Sequence, residues 1–69
     1  MNSKKLSRAK RIEMENAAIE IGRLKDSLDE AYIHFNSTSD PDTIDACIYE
    51  ISALRSRYNT AYKHYRNIF

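Results

Sequence analysis

Three aspartates near the middle of the chain have a spacing that suggests a metal site. Asp40, Asp42 and Asp45 form the pattern D-x-D-x-x-D, and Ca²⁺ prefers carboxylate oxygens as ligands. A calcium loop of the EF-hand type also needs a central glycine and a terminal glutamate at fixed offsets, and both are missing here. Pro41 favours a simpler interpretation, because a capping aspartate, a proline and further acidic residues are typical of a helix N-terminus. We therefore predict no metal site.

Nucleophilic catalysis would require Cys47, the single cysteine, to be activated by a base or a helix N-terminus. Cys47 lies two turns into the predicted second helix, on its apolar stripe, where a buried thiol is the simplest interpretation. His34 lies across the turn but is expected on a charged flank, and His64 is at the opposite end, so the two imidazoles cannot share a metal. Asp29 and Glu30 are a carboxylate pair that could do acid–base chemistry, but they are expected on an outward face without a pocket. The sequence predicts no enzyme, no catalytic residue and no cofactor.

Length and composition narrow the fold class. The chain has 69 residues, among them one glycine, one proline, one cysteine and no tryptophan. This length allows one domain, glycine and proline are too scarce for an all-β chain, and one cysteine excludes an internal disulfide framework. No apolar run is long enough to span a membrane, and no apolar stretch follows the basic N-terminal residues as in a secretory signal. We predict a single-domain, all-α, cytoplasmic protein.

Two heptad repeats define two helices. We predict a first helix over residues 8–36, a turn over 37–40 and a second helix over 41–67, preceded by a basic arm over 1–8 that suits a mobile segment. Apolar residues alternate at spacings of three and four in both helices, which is typical of helices packed side by side. These stripe residues are Met14, Ala17, Ile21, Leu24, Leu28, Ala31 and Phe35 in the first helix, and Ile44, Cys47, Ile51, Leu54, Tyr58, Ala61, Tyr65 and Ile68 in the second.

The two stripes match when the chain folds back at the turn. Phe35 then faces Ile44, Met14 faces Tyr65 at the open end, and the pairs between them stay in register. This match predicts an antiparallel two-helix hairpin. A core this small usually needs a disulfide, a bound metal or a partner. We therefore expect two hairpins to pair into a homodimeric four-helix bundle.

The two flanks of the predicted hairpin differ in character. One flank is charged, and it brings Glu13 opposite His64. The other flank is apolar, and such a strip is unusually large for the surface of a monomer. We predict that this apolar flank binds a second copy of the chain or, as the alternative, a helix of an unidentified protein partner. Lys25 and Arg55 face each other within it and need acidic partners. The apolar flank consists of Ile12, Ala18, Ile19, Tyr32, Ile33, Ile48, Tyr62 and Phe69.

Charge is strongly segregated along the chain. Residues 1–25 carry seven basic and three acidic groups, residues 26–50 carry seven acidic groups and no Lys or Arg, and residues 51–69 carry four basic groups and no acid. In a hairpin the acidic segment forms the turn end and the two basic segments meet at the open end. Phosphate contacts there would suit nucleic-acid binding. The residues of this basic end are Lys4, Lys5, Arg8, Lys10, Arg11, Lys63 and Arg66.

Three short runs around the turn carry a resemblance to a known family. They are Ala31-Tyr-Ile-His-Phe-Asn, Asp40-Pro-Asp-Thr-Ile-Asp-Ala-Cys-Ile-Tyr-Glu and Arg57-Tyr-Asn. They resemble the YaaL family of short proteins from Gram-positive bacteria, and the resemblance covers roughly residues 12–65. It implies a small cytoplasmic bacterial helical protein, and it transfers no catalytic residue because the family has no established activity.

Two classes of function are compatible with these surfaces. The first is a non-enzymatic, homo-oligomeric structural or protein-interaction module that uses the apolar flank. The alternative is a nucleic-acid-associated accessory protein that binds phosphates through the basic end.

Overall fold

The computed structural model describes residues 7–68, and within them the chain forms two α-helices and no strand. Helix α1 spans Arg8–Ser37 and helix α2 spans Pro41–Arg66. The two helices pack against each other in antiparallel directions, because α1 contacts α2 both near the turn, at His34 and Cys47, and at the open end, at Glu13 and His64. The predicted all-α, two-helix architecture is confirmed, whereas the pairing of two hairpins stays a prediction.

Helix α1 begins with a serine cap. Ser7 has an extended backbone, and its Oγ accepts a hydrogen bond from the Lys10 backbone N–H at 3.1 Å. This bond satisfies one of the free N–H groups at the helix start. No acidic residue lies in the first turn of α1, so no carboxylate adds a favourable interaction with the positive end of the helix dipole. Residues 1–6, most of the predicted basic arm, lie outside the described residues.

Helix α2 begins with the aspartate and proline that the sequence analysis singled out. Asp40 Oδ2 accepts two hydrogen bonds from Thr43, one from Oγ1 at 2.7 Å and one from the backbone N–H at 2.9 Å. Thr38 Oγ1 accepts a further bond from the Asp40 N–H at 3.3 Å. Pro41 occupies the first turn, and Asp42 adds a negative charge where the helix dipole is positive. These contacts make Asp40 a helix cap.

Both helices end within one residue of their predicted ends. Helix α1 continues to Ser37, whose Oγ donates a hydrogen bond to the His34 carbonyl at 3.1 Å and so satisfies a carbonyl of the last turn. Helix α2 stops at Arg66, because Asn67 leaves the helical conformation with a ψ of 1°. The Asn67 N–H still donates to the Lys63 and His64 carbonyls, both at 3.1 Å.

The core lies between the two apolar stripes. Every stripe residue is buried or half-buried, which is the burial that the heptad pattern predicts. The core is nevertheless only one layer thick, and no side chain among the described residues is less than 2% exposed. The buried residues of the described chain are Ala17, Leu24, Ala31, Cys47, Ile51 and Ile68.

Candidate self-association surface

The apolar flank remains on the surface of the hairpin. Seven of its eight predicted residues lie in the described part of the chain, and all seven are exposed; Phe69 lies outside the described residues. Ile12, Ile19 and Ile33 share one face of α1, because multiples of seven residues separate them, and Ile33 is 68% exposed. Helix packing thus leaves several branched aliphatic side chains in contact with solvent.

The exposed apolar residues form two clusters at different heights along the hairpin. Tyr32, Ile33 and Ile48 lie near the turn and form the turn-end cluster. Ile12, Ile19 and Tyr62 lie near the open end and form the open-end cluster. An open groove leads from the turn-end cluster toward the polar middle of the flank; it is lined by Tyr32, Phe35, Ile48, Ile51, Ser52, Arg55, Ser56 and Asn59.

Tyrosine side chains shape both clusters. Tyr62 stacks on Tyr58, one turn earlier in α2, with ring centroids 6.4 Å apart and an angle of 12° between the rings. Aromatic pairs at this spacing attract each other weakly, so the stacking on Tyr58 favours this position of the Tyr62 ring at the open end. Tyr49, at 76% exposure, is a further exposed tyrosine in the turn half of α2. Tyr49 directly follows Ile48, and consecutive helical residues point in different directions, so the heptad register leaves Tyr49 outside the apolar flank.

The described side chains of the basic end are exposed, but one of them, Lys10, also makes a contact that joins the two ends of the hairpin. Arg8, Arg11, Lys63 and Arg66 are exposed at the open end, and Lys4 and Lys5 lie outside the described residues. Lys10 is also exposed, but its Nζ donates a hydrogen bond to the Ile68 backbone carbonyl at 2.9 Å. Lys10 therefore joins the start of α1 to the end of α2, a role that its place in a basic run does not predict.

The charged flank contains one ion pair within residues 7–68. His64 Nε2 lies 3.8 Å from Glu13 Oε2, and both side chains are largely exposed. The sequence register placed these two residues opposite each other, and the structure confirms that position. Exposed pairs of this kind contribute little to stability, so the pair indicates the register of the hairpin rather than a functional site.

His34 and Cys47 form a contact that the sequence analysis did not anticipate. The imidazole lies on the charged flank, in an open groove with Glu30 and Glu50, yet its Nδ1 is 3.7 Å from Cys47 Sγ. The stripe position of Cys47 is close enough to this flank for a histidine side chain to reach it. Because Cys47 is only 3% exposed, its sulfur is closed to a substrate from solvent. This arrangement supports packing rather than nucleophilic chemistry.

Within residues 7–68, no three side chains of His, Cys, Asp or Glu are grouped so that they could hold a metal ion. Neither α1 nor α2 combines the length and the hydropathy that crossing a membrane requires.

No protein-family model, curated protein or solved structure matches the chain. The similarity to the YaaL family therefore stays a prediction from the three sequence runs around the turn.

Proposed function

We propose that this protein is a non-enzymatic structural or protein-interaction module that works as a homodimer. Two hairpins pair through their apolar flanks and form a four-helix bundle. The observation that carries this proposal is the combination of a core one layer thick with seven exposed apolar residues along one flank. A second hairpin would give these side chains the apolar contacts that the first hairpin lacks.

A second copy suits the apolar flank better than a different protein does. A twofold dimer uses the same patch on both subunits, so the patch must be complementary to itself. The flank carries one apolar cluster toward each end, each with a tyrosine and branched aliphatic side chains, and polar residues lie between them. Two copies can therefore match apolar to apolar at both ends of the flank and polar to polar in its middle.

Sedimentation equilibrium over a range of protein concentrations tests the proposal. We expect a dimer for the natural chain and a monomer for the double variant Ile19→Asp with Ile33→Asp, because both aspartates would be buried without partners. The matched control is Ala53→Asp with Thr60→Asp, which adds the same charge at exposed positions of α2 outside the flank and should leave the dimer intact. A folded monomer at all concentrations, or a dimer that survives the flank substitutions, would contradict the proposal.

Nucleic-acid binding is the second candidate, favoured by the exposed basic residues that α1 and α2 bring to the same end. Binding through phosphates would weaken steeply with salt. Replacement of Lys4, Lys5, Arg8 and Arg11 by Ser should abolish gel retardation of DNA or RNA at low salt and leave the helical circular-dichroism signal unchanged. Absence of retardation for the natural chain would exclude this candidate.

A further inference from the structure

The two ends of the hairpin carry opposite charge on exposed side chains. The turn end, residues 26–50, holds seven exposed carboxylates and no Lys or Arg. The open end holds six exposed basic groups against three exposed carboxylates, Glu13, Glu15 and Glu20, so its net charge is positive. The carboxylates are Asp26, Asp29, Glu30, Asp40, Asp42, Asp45 and Glu50, and the basic groups are Arg8, Lys10, Arg11, Arg57, Lys63 and Arg66.

We infer that the second copy binds antiparallel, with its acidic turn end against the basic open end of the first. This inference rests on the proposed dimer and adds its orientation. A parallel dimer would bring the seven carboxylates of both copies to the same end, where their like charges would repel each other. The antiparallel arrangement places each acidic end beside a basic one, and this kind of complementarity fixes the relative position of two partners.

The distribution of apolar residues fits this orientation. An antiparallel pair places the turn-end cluster of one subunit against the open-end cluster of its partner, so tyrosines and isoleucines meet at both ends of the interface. The twofold axis then passes near Lys25 and Arg55, which lie between the clusters. Asp26 and Asp29 are the carboxylates of residues 26–50 closest to this axis along α1, so those of the second copy would lie at the height of the two cations.

Distance measurement between spin labels tests the orientation. The label is placed on a cysteine introduced at the turn, Ser39→Cys, in a Cys47→Ala background. The two labels of an antiparallel dimer would be about 40 Å apart, since each turn lies roughly 14 residues from the axis at 1.5 Å per residue. In a parallel dimer the labels would lie within about 20 Å of each other, given a helix diameter near 10 Å.

Two controls keep this experiment decisive. Sedimentation equilibrium must give the same mass for the labelled variant and the natural chain. Should Cys47→Ala fail to fold, Cys47 can be retained, because at 3% exposure it is shielded from the labelling reagent. A monomer would overturn the proposed dimer itself. A dimer with a short label distance would overturn only the antiparallel orientation.

The salt dependence of the dimer gives an independent measurement. Salt shortens the range of electrostatic interactions to about 3 Å at 1 M. We therefore expect the dissociation constant of the antiparallel dimer to rise roughly threefold or more between 0.05 and 0.5 M NaCl. A parallel dimer would tighten over the same range, because salt would relieve the repulsion between its acidic ends, and that result would overturn the inference.

Discussion

At the scale of single residues, Asp40 shows how one carboxylate can look like a metal ligand and act as a helix cap. Its Oδ2 is occupied by two hydrogen bonds from Thr43. The side-chain bond from Thr43, followed by the backbone bond, lowers the pKa of Asp40 below its ordinary value of 3.8. The ionised carboxylate is therefore favoured in the folded chain.

This lowered pKa predicts a pH-dependent effect of Asp40→Ala. The folded chain prefers the ionised carboxylate, so the stabilisation is present above pH 3.8 and is lost as the pH falls through the lower pKa of the folded state. We expect the substitution to lower the Tm by a few degrees at pH 7 and to have little effect well below pH 3.8. Thermal unfolding followed by circular dichroism at a series of pH values measures the difference. Asp40→Asn, which keeps a capping oxygen, is the control, and its Tm at pH 7 should fall by less than that of Asp40→Ala. A decrease in Tm that is the same at every pH for Asp40→Ala would contradict the prediction.

Gly22 is the second informative residue, and it lies in the middle of α1. A Cβ built at this position meets no atom within 4 Å, so a close approach of α2 does not explain the glycine. We expect Gly22→Ala to stabilise the hairpin by about 1 kcal/mol, because alanine loses less backbone freedom in a helix. Chemical denaturation in the Ile19→Asp, Ile33→Asp background separates this effect from dimer formation. Ala18→Gly, one turn away, is the opposite change and should lower the free energy of unfolding by about the same amount. A Gly22→Ala substitution that destabilises the hairpin would contradict this account.

At the scale of elements, the sequence predicted the helices and their contact face with little error. The alternating spacing determines which side chains are buried, and short polar residues determine the ends: Asp40 and Pro41 start α2 as predicted. The contacts of long or rotatable side chains could not be predicted. Lys10 reaching the Ile68 carbonyl and His34 reaching Cys47 depend on rotamers and on the path of the backbone, and neither is fixed by residue spacing.

At the scale of the whole molecule, stability should depend on protein concentration. If the dimer supplies the missing half of the core, mass action stabilises the folded state by about 1.4 kcal/mol for each tenfold rise in concentration. We expect the Tm of the natural chain to rise by several degrees over two decades of concentration. The double variant Ile19→Asp, Ile33→Asp should show no such rise, and a concentration-independent Tm for the natural chain would contradict the dimer.

The short connection between α1 and α2 has a consequence for the order in which the chain folds. The contact between His34 and Cys47 closes a loop of 13 residues, whereas the Lys10 bond to the Ile68 carbonyl joins residues 58 positions apart. Short loops lose less entropy on closure. The contacts between α1 and α2 should therefore form first beside the turn, and those at the open end should form last. The reverse process begins where folding ends. Amide protons beside the turn should accordingly exchange with solvent more slowly than those at the open end, and a uniform exchange rate along α1 would indicate that the hairpin opens as a single unit.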